Sequence, residues 1–235
     1  MSTISNTTGS MNIGTQPYID SKPDIRFETG DKGDLTVVIQ TKGLEMKSVT
    51  QKNLPDYIRL FSDPTNMEKY REGSVWSADQ TKEHVNTWVN LWQNGNAFSA
   101  FAITNRNEDD QFIGSVLIKA WEAADSWDSC IAIAIGRVLH HKYWGKGLGK
   151  HVAIALVNYY IPEALDRGYK LPSLSGETPK NITLTAREDN HASVKTWKSL
   201  GLPQVATIER FGRERLVFSE TIEKLDKRNL PVLSQ

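Results

Sequence analysis

Residues 143–150 read Tyr143-Trp144-Gly145-Lys146-Gly147-Leu148-Gly149-Lys150. The stretch follows an apolar, alternating run at 131–139. It leads into a segment whose apolar residues Leu148, Val152, Ala155, Leu156 and Tyr159 recur at helical spacing. The glycines therefore fall at a strand–loop–helix junction. Glycine permits positive φ and close approach of the backbone to a ligand. A helix N-terminus offers unpaired N–H groups and the positive end of a dipole. Together these make an anion site suited to phosphate. A plain glycine-rich turn into a helix is the simpler reading of the same residues.

Working outward, the upstream strand at 130–139 has a bulky face (Ile131, Ile133, Ile135) and a small one (Cys130, Ala132, Ala134). The small face leaves room for a ligand or packs tightly against a helix. Downstream, the helix reaches about Ile161, is interrupted by Pro162 and ends at Gly168. A strand at 182–187 follows. Asn190 then caps a helix carrying Ala192, Val194, Trp197 and Leu200, closed by Gly201. Strands at 204–210 and 214–219 form a final hairpin.

Towards the N-terminus, strands at 35–40 and 43–49 precede a helix with Leu54, Tyr57, Ile58 and Phe61, stopped at Asp63-Pro64. A second helix opens at Ser77 and carries Val85, Trp88, Val89 and Trp92. A hairpin of strands at 98–103 and 112–118 comes next. The order β-α-α-β-β-β-α-β-α-β-β predicts an α/β (α+β) domain. Residues 35–220 form that domain, 1–34 a flexible polar extension, and 221–235 a C-terminal tail.

The chain has 235 residues, a formal net charge of +0 and one cysteine. Neutral charge argues against a nucleic-acid-coating protein. A single cysteine permits no internal disulfide and fits a reducing compartment. No apolar run approaches the ~18 residues of a membrane span, and residues 1–21 lack a secretory pattern. The expectation is a cytoplasmic protein, with neither nucleic acid nor membrane as partner, as a monomer or homodimer.

The glycine spacing departs from both the P-loop and the dinucleotide fingerprint G-x-G-x-x-G. It resembles the pyrophosphate loop of the GNAT N-acetyltransferases, Q/R-x-x-G-x-G/A, with Trp144 in place of Gln or Arg. In the RimJ/RimL-like branch this loop often reads Y-W-G-K-G. Glu188-Asp189-Asn190-His191-Ala192-Ser193, followed by Trp197 and Leu200-Gly201, is similar to the family's N-x-x-S/A … L-G-F segment, with Leu202 at the Phe position. Gly43-Leu44-Glu45-Met46, Ser62-Asp63-Pro64 and Gly212-Arg213-Glu214-Arg215 resemble the branch's opening and end.

The resemblance implies a mostly antiparallel mixed sheet, splayed to form an acetyl-CoA cleft and flanked by helices. It implies acetyl transfer to a primary amine by direct attack in a ternary complex, with a protein N-terminus or a small amine as acceptor and no metal. The implied cofactor contacts are Trp144, Gly145, Lys146, Gly147, Leu148, Gly149 and Lys150 at the pyrophosphate, Val138, Leu139 and His140 along the pantetheine arm, and Asn190. Lys146 and Lys150 otherwise read as solvated charges. His140 and His141 are proton carriers or surface polar residues. Two family positions have lost their usual groups: Ala134 stands where Glu is common, and Trp197 where other branches place a Tyr acid. Ser193 remains as the candidate catalytic hydroxyl; Glu122, Asp128, Glu188 and His140 are possible bases. A catalytically weak acyl-CoA sensor and a nucleotide binder of another fold are the alternatives.

Overall fold

In the computed structural model the described residues are 22–121, 132–171 and 177–226. The polar segment 1–21, Cys130, Ile131 and the candidate bases Glu122 and Asp128 lie outside them. The described residues form one nine-stranded sheet in the order β1-β2-β3-β4-β5-β6-β7-β9-β8. Its first strands are β1 (Asp24–Thr29), β2 (Leu35–Gln40), β3 (Leu44–Ser48), β4 (Ala100–Asn105), β5 (Gln111–Ala120) and β6 (Ala132–Leu139). They pair antiparallel in sequence order. β7 (Asn181–Ala186) and the hairpin of β8 (Gln204–Arg210) and β9 (Arg213–Thr221) complete the sheet.

Two expected boundaries move. β1 lies inside the expected extension and pairs with β2 along its whole length. Its apolar signal is only Ile25 and Phe27, too short to read as a strand, but both pack on the core. The expected tail begins with a helix, α7 (Ile222–Asp226), that buries Leu225. Helix α1 (Leu54–Ser62) ends at Asp63, whose carboxylate also accepts from Thr65 N at 2.8 Å and so caps the short α2 (Pro64–Met67). Ser77 and Gln80 cap α3 (Ala78–Gln93) reciprocally, at 3.1 and 2.9 Å.

After the glycine loop, α4 (Leu148–Ala155) passes through a π-helical turn, Leu156–Tyr160, into α5 (Ile161–Asp166). The helix restarts at Pro162, which sits in the first turn of α5. Its ring and missing N–H are incompatible with regular i→i−4 bonding, and the wider turn just before it absorbs the mismatch. The last hairpin turns on Phe211 and Gly212, both at positive φ (57° and 65°), the two-residue geometry that follows strand twist.

The main apolar core runs under β2–β6 and includes Tyr57, Phe61, Phe101 and Tyr160, all at most 1% exposed. Ile133 and Ile135 of β6 face this core. On its small face, Ala132 and Ala134 pack against Trp121 and Ile208 rather than against a helix.

Candidate functional site

β6 is paired unequally. Seven register pairs join it antiparallel to β5, but only Ala132↔Asn181 and Ile133↔Ile182 join it parallel to β7. Beyond Ile182, β7 has no register pair with β6, while its other edge stays paired with β9 along its whole length, through six register pairs from Asn181 to Ala186. The sheet therefore opens into a wedge from Ala134 to Leu139. His140 N donates to Ile113 O at 2.8 Å. In an antiparallel ladder backbone groups alternate sides, so Val138 and Gly136 also turn theirs towards β5. Ile135, Arg137 and Leu139 turn theirs into the open wedge.

The glycine loop closes the wide end of the wedge. Gly145 and Gly147 adopt positive φ (74° and 77°), and Gly147 caps α4 in the left-handed conformation. The first N–H groups of α4 consequently point out of the helix towards the wedge. On the opposite wall, α6 (His191–Ser199) starts at Asn190, whose side-chain oxygen accepts from Ser193 N at 3.2 Å. A cleft of about 910 Å³ lies between these parts. Val138, Leu139 and every residue of the loop from Trp144 to Lys150 line it, as do Asn190 and Ser193.

His140 does not join them. Its Nδ1 accepts from Lys142 N at 3.3 Å, capping the 3₁₀ turn His141–Tyr143, and its ring faces a separate small pocket with Glu108 and Gln111. Its backbone is committed to β5, which leaves it no group for the wedge. Burial, then the neighbouring His141 and Lys142, push its imidazole below the ordinary range. His141 serves the fold: its N donates to Asn66 Oδ1 at 2.8 Å, joining α2 to the turn before the loop. Asp63, His140 and His141 bring three ligand-type atoms within 4.8 Å of one another, and this is the one such group among the described residues. Lys146 is not merely solvated, since its Nζ lies 5.0 Å from the centre of the Tyr143 ring. Trp144 is 47% exposed and donates its Nε1 to Leu139 O at 2.8 Å, so one wedge-facing carbonyl already has a partner.

Arg137 was missed by the sequence reading. It lines the cleft from the middle of β6, donates to Gly149 O, and stacks its guanidinium 5.1 Å from the Trp197 ring. Burial pushes it down to about 10, which leaves it cationic at neutral pH. It also accounts for Gly149, whose φ is unremarkable. A Cβ there would lie 3.0 Å from the guanidinium carbon. The third glycine thus makes room for a cation, whereas Gly145 and Gly147 serve the turn. A charge inside the run Ile133-Ala134-Ile135-Gly136-Arg137-Val138-Leu139 was the available signal. Tyr70, which also lines the cleft, gave none. Asp189 lines it too but is held by Arg187 at 2.6 Å and Lys69 at 3.7 Å.

The family model described as "Acetyltransferase (GNAT) domain" matches residues 44–203. This chain belongs to the GNAT acetyltransferase family. It is therefore an acyl-CoA-dependent N-acetyltransferase. Solved structures of the same fold include a GNAT-family acetyltransferase from Bacillus anthracis (16% identity, 79% of this chain and 99% of that one, TM-score 0.60). They include RimJ from Mycobacterium smegmatis in complex with a CoA-disulfide (16% identity, 87% and 88%, TM-score 0.55). They also include a Salmonella typhimurium acetyl transferase that modifies the N-terminal serine of a 50S ribosomal subunit protein (16% identity, 77% and 95%, TM-score 0.56). The splayed sheet, the glycine loop and Arg137 of this GNAT acetyltransferase border one cleft.

Proposed function

We propose that this enzyme acetylates an α-amino group, at a protein or peptide N-terminus, by direct attack on acetyl-CoA in a ternary complex. The observation that carries the reading is the wedge between β6 and β7, ending in the glycine loop. The pyrophosphate takes the N–H groups of residues 145–150, the Trp144 N–H being held by His141 O, with Arg137, Lys146 and Lys150 supplying positive charge. The pantetheine arm follows the open edge of β6 past Leu139 and Arg137 towards Ile135, and Asn190 meets it from α6. Val138 contributes its place in the wall, not its backbone. Ser193 supplies a hydroxyl to the departing sulfur.

The α-amino preference comes from protonation. Among the described residues Asp189 is the one carboxylate lining the cleft, and it is tied to Arg187 and Lys69, so the amine is taken to arrive neutral. At pH 7.5 about a quarter or more of α-amino groups of pKa 7.7–8.0 are neutral, against roughly one lysine side chain in a thousand. The RimJ/RimL-like loop and the Salmonella neighbour support the same acceptor class.

Calorimetry with acetyl-CoA, followed by CoA release with free-α-amine peptides and with Nα-blocked lysine, tests the reading. Binding plus turnover of the peptides alone is expected. Turnover of blocked lysine at equal kcat/KM overturns the α-amino assignment. Binding with no turnover of any amine favours the second reading, an acyl-CoA sensor, for which the losses at Ala134 and Trp197 speak.

A further inference from the structure

The acceptor side of the wedge has no group assigned to the incoming nitrogen, yet one polar atom is aimed at it. One face of β6 is filled by Ile133 and Ile135, which pack in the main core. The other face carries the small residues Ala132, Ala134 and Gly136, and the amine is assigned to that roomier side. Gly136 is where that face meets Tyr70: a Cβ built there would lie 3.2 Å from the phenolic oxygen. Any side chain there would have to push the hydroxyl back from the strand by a few tenths of an ångström. The position also matches the chemistry. An acyl arm anchored at the glycine loop and running along the free edge of β6 brings its thioester towards Ile135, next to Gly136, before the wedge closes at Ile133.

Tyr70 is held in place from every side. Its ring packs against the touching pair Phe61 (centroids 6.3 Å apart, stacked) and Trp76 (6.1 Å, edge-on). The flanking backbone is pinned across the mouth of the wedge. Arg187 Nη1 donates to Glu68 O at 3.0 Å, Lys69 Nζ to Asp189 O at 3.0 Å, and Arg215 Nη1 to Arg71 O at 3.3 Å. Burial is the largest influence on the phenol and raises it above its ordinary range, with Arg71 and Arg215 pulling the other way and Glu72 adding to the rise. The hydroxyl stays protonated at neutral pH and keeps its oxygen lone pairs for a donor.

We propose that Tyr70 is a catalytic residue that receives the acceptor amine. Its phenolic oxygen accepts a hydrogen bond from the amine N–H and aims the nitrogen lone pair at the thioester carbon. The C–N bond then forms and the C–S bond breaks. The sulfur leaves as thiolate and takes a proton from water, directly or through the Ser193 hydroxyl, which regains its own proton from water, and the surplus N–H proton passes to water. Positioning of this kind contributes through orientation, and the role rests on acetyl transfer occurring in this cleft.

The test compares wild type, Tyr70→Phe, Gly136→Ala and the double variant, using a short free-N-terminal serine peptide and, as a minimal α-amine probe, glycinamide. Acetyl-CoA affinity is measured separately by calorimetry. Tyr70→Phe is expected to lower kcat/KM for both amines by about 10- to 100-fold, as loss of a positioned polar group does, with acetyl-CoA Kd unchanged. Gly136→Ala, which keeps the hydroxyl but displaces it, is expected to cause part of that loss and to add nothing in the Tyr70→Phe background. Wild-type rates in folded Tyr70→Phe, or additive losses in the double variant, overturn the role of Tyr70 alone. Acetyl-CoA binding without turnover of either amine by wild type overturns the transfer reading and Tyr70's part in it together.

Discussion

The two edges of β6 behave as different materials. Towards β5 the strand is zipped by seven register pairs; towards β7 it has two and then parts company. The zipped edge belongs to the half of the sheet over the main core, where Phe101 is fully buried. The open edge carries Arg137, the glycine loop and α6, all lining the cleft. One strand thus serves stability along one edge and ligand recognition along the other, because backbone groups alternate sides along an antiparallel strand.

The largest expected effect breaks the zipped half. Phe101 of β4 packs its ring 5.1 Å from Trp92 and 5.2 Å from Tyr160. Phe101→Ala is expected to cost about 3–5 kcal/mol in a urea unfolding experiment. The fraction still folded should bind acetyl-CoA as before; a weakened Kd there would show that the two edges are coupled.

Next comes the open edge. Arg137→Ala removes a charge-assisted hydrogen bond to Gly149 O and the contact with Trp197. In the proposed complex the same cation also meets the cofactor's phosphates; one charged hydrogen bond to them is worth about 1.5–3 kcal/mol, so acetyl-CoA affinity by calorimetry should fall roughly 10- to 150-fold. Lysine keeps the charge but not the planar fork, so Arg137→Lys should recover only part of the affinity. If Tm drops while Kd holds, Arg137 serves the fold alone.

Ser193→Ala probes chemistry rather than binding. A thiolate is already a fair leaving group, so kcat should fall by about 10- to 100-fold, at the low end of general acid contributions, with acetyl-CoA Kd unmoved. Unchanged kcat would leave water as the proton source, and a large loss of affinity would make Ser193 a binding residue.

The smallest effect sharpens the boundary of the wedge. His140 turns its backbone to β5 and its ring away from the cleft. His140→Ala should alter acetyl-CoA affinity by less than about 0.5 kcal/mol, the range of surface substitutions. A tenfold loss would return His140 to the site.

Much of the fold was legible because its signals are local. Ser77 and Gln80 announce the cap of α3, Asn190 that of α6, and the alternation at β6 its core face. β1 escaped notice because two apolar residues in six do not distinguish a strand from a polar extension; its partner β2 supplies the other half of the pattern. In the site, the loop glycines and the losses at Ala134 and Trp197 could be read from spacing and family pattern. Tyr70 and Gly136 are 66 positions apart, and no period links them.

By itself, the sequence determined where backbone conformation is forced: the left-handed turns at Gly145 and Gly147, the helix starts, and the faces of the strands. These follow from sterics and hydrogen bonding within a few residues. Only the tertiary structure decided which edge of β6 is left open, that Gly149 yields space to Arg137, and that the small-residue face of β6 meets Trp121, Ile208 and the Tyr70 hydroxyl. Those outcomes depend on elements brought together from across the chain, and short-range spacing carries no information about them.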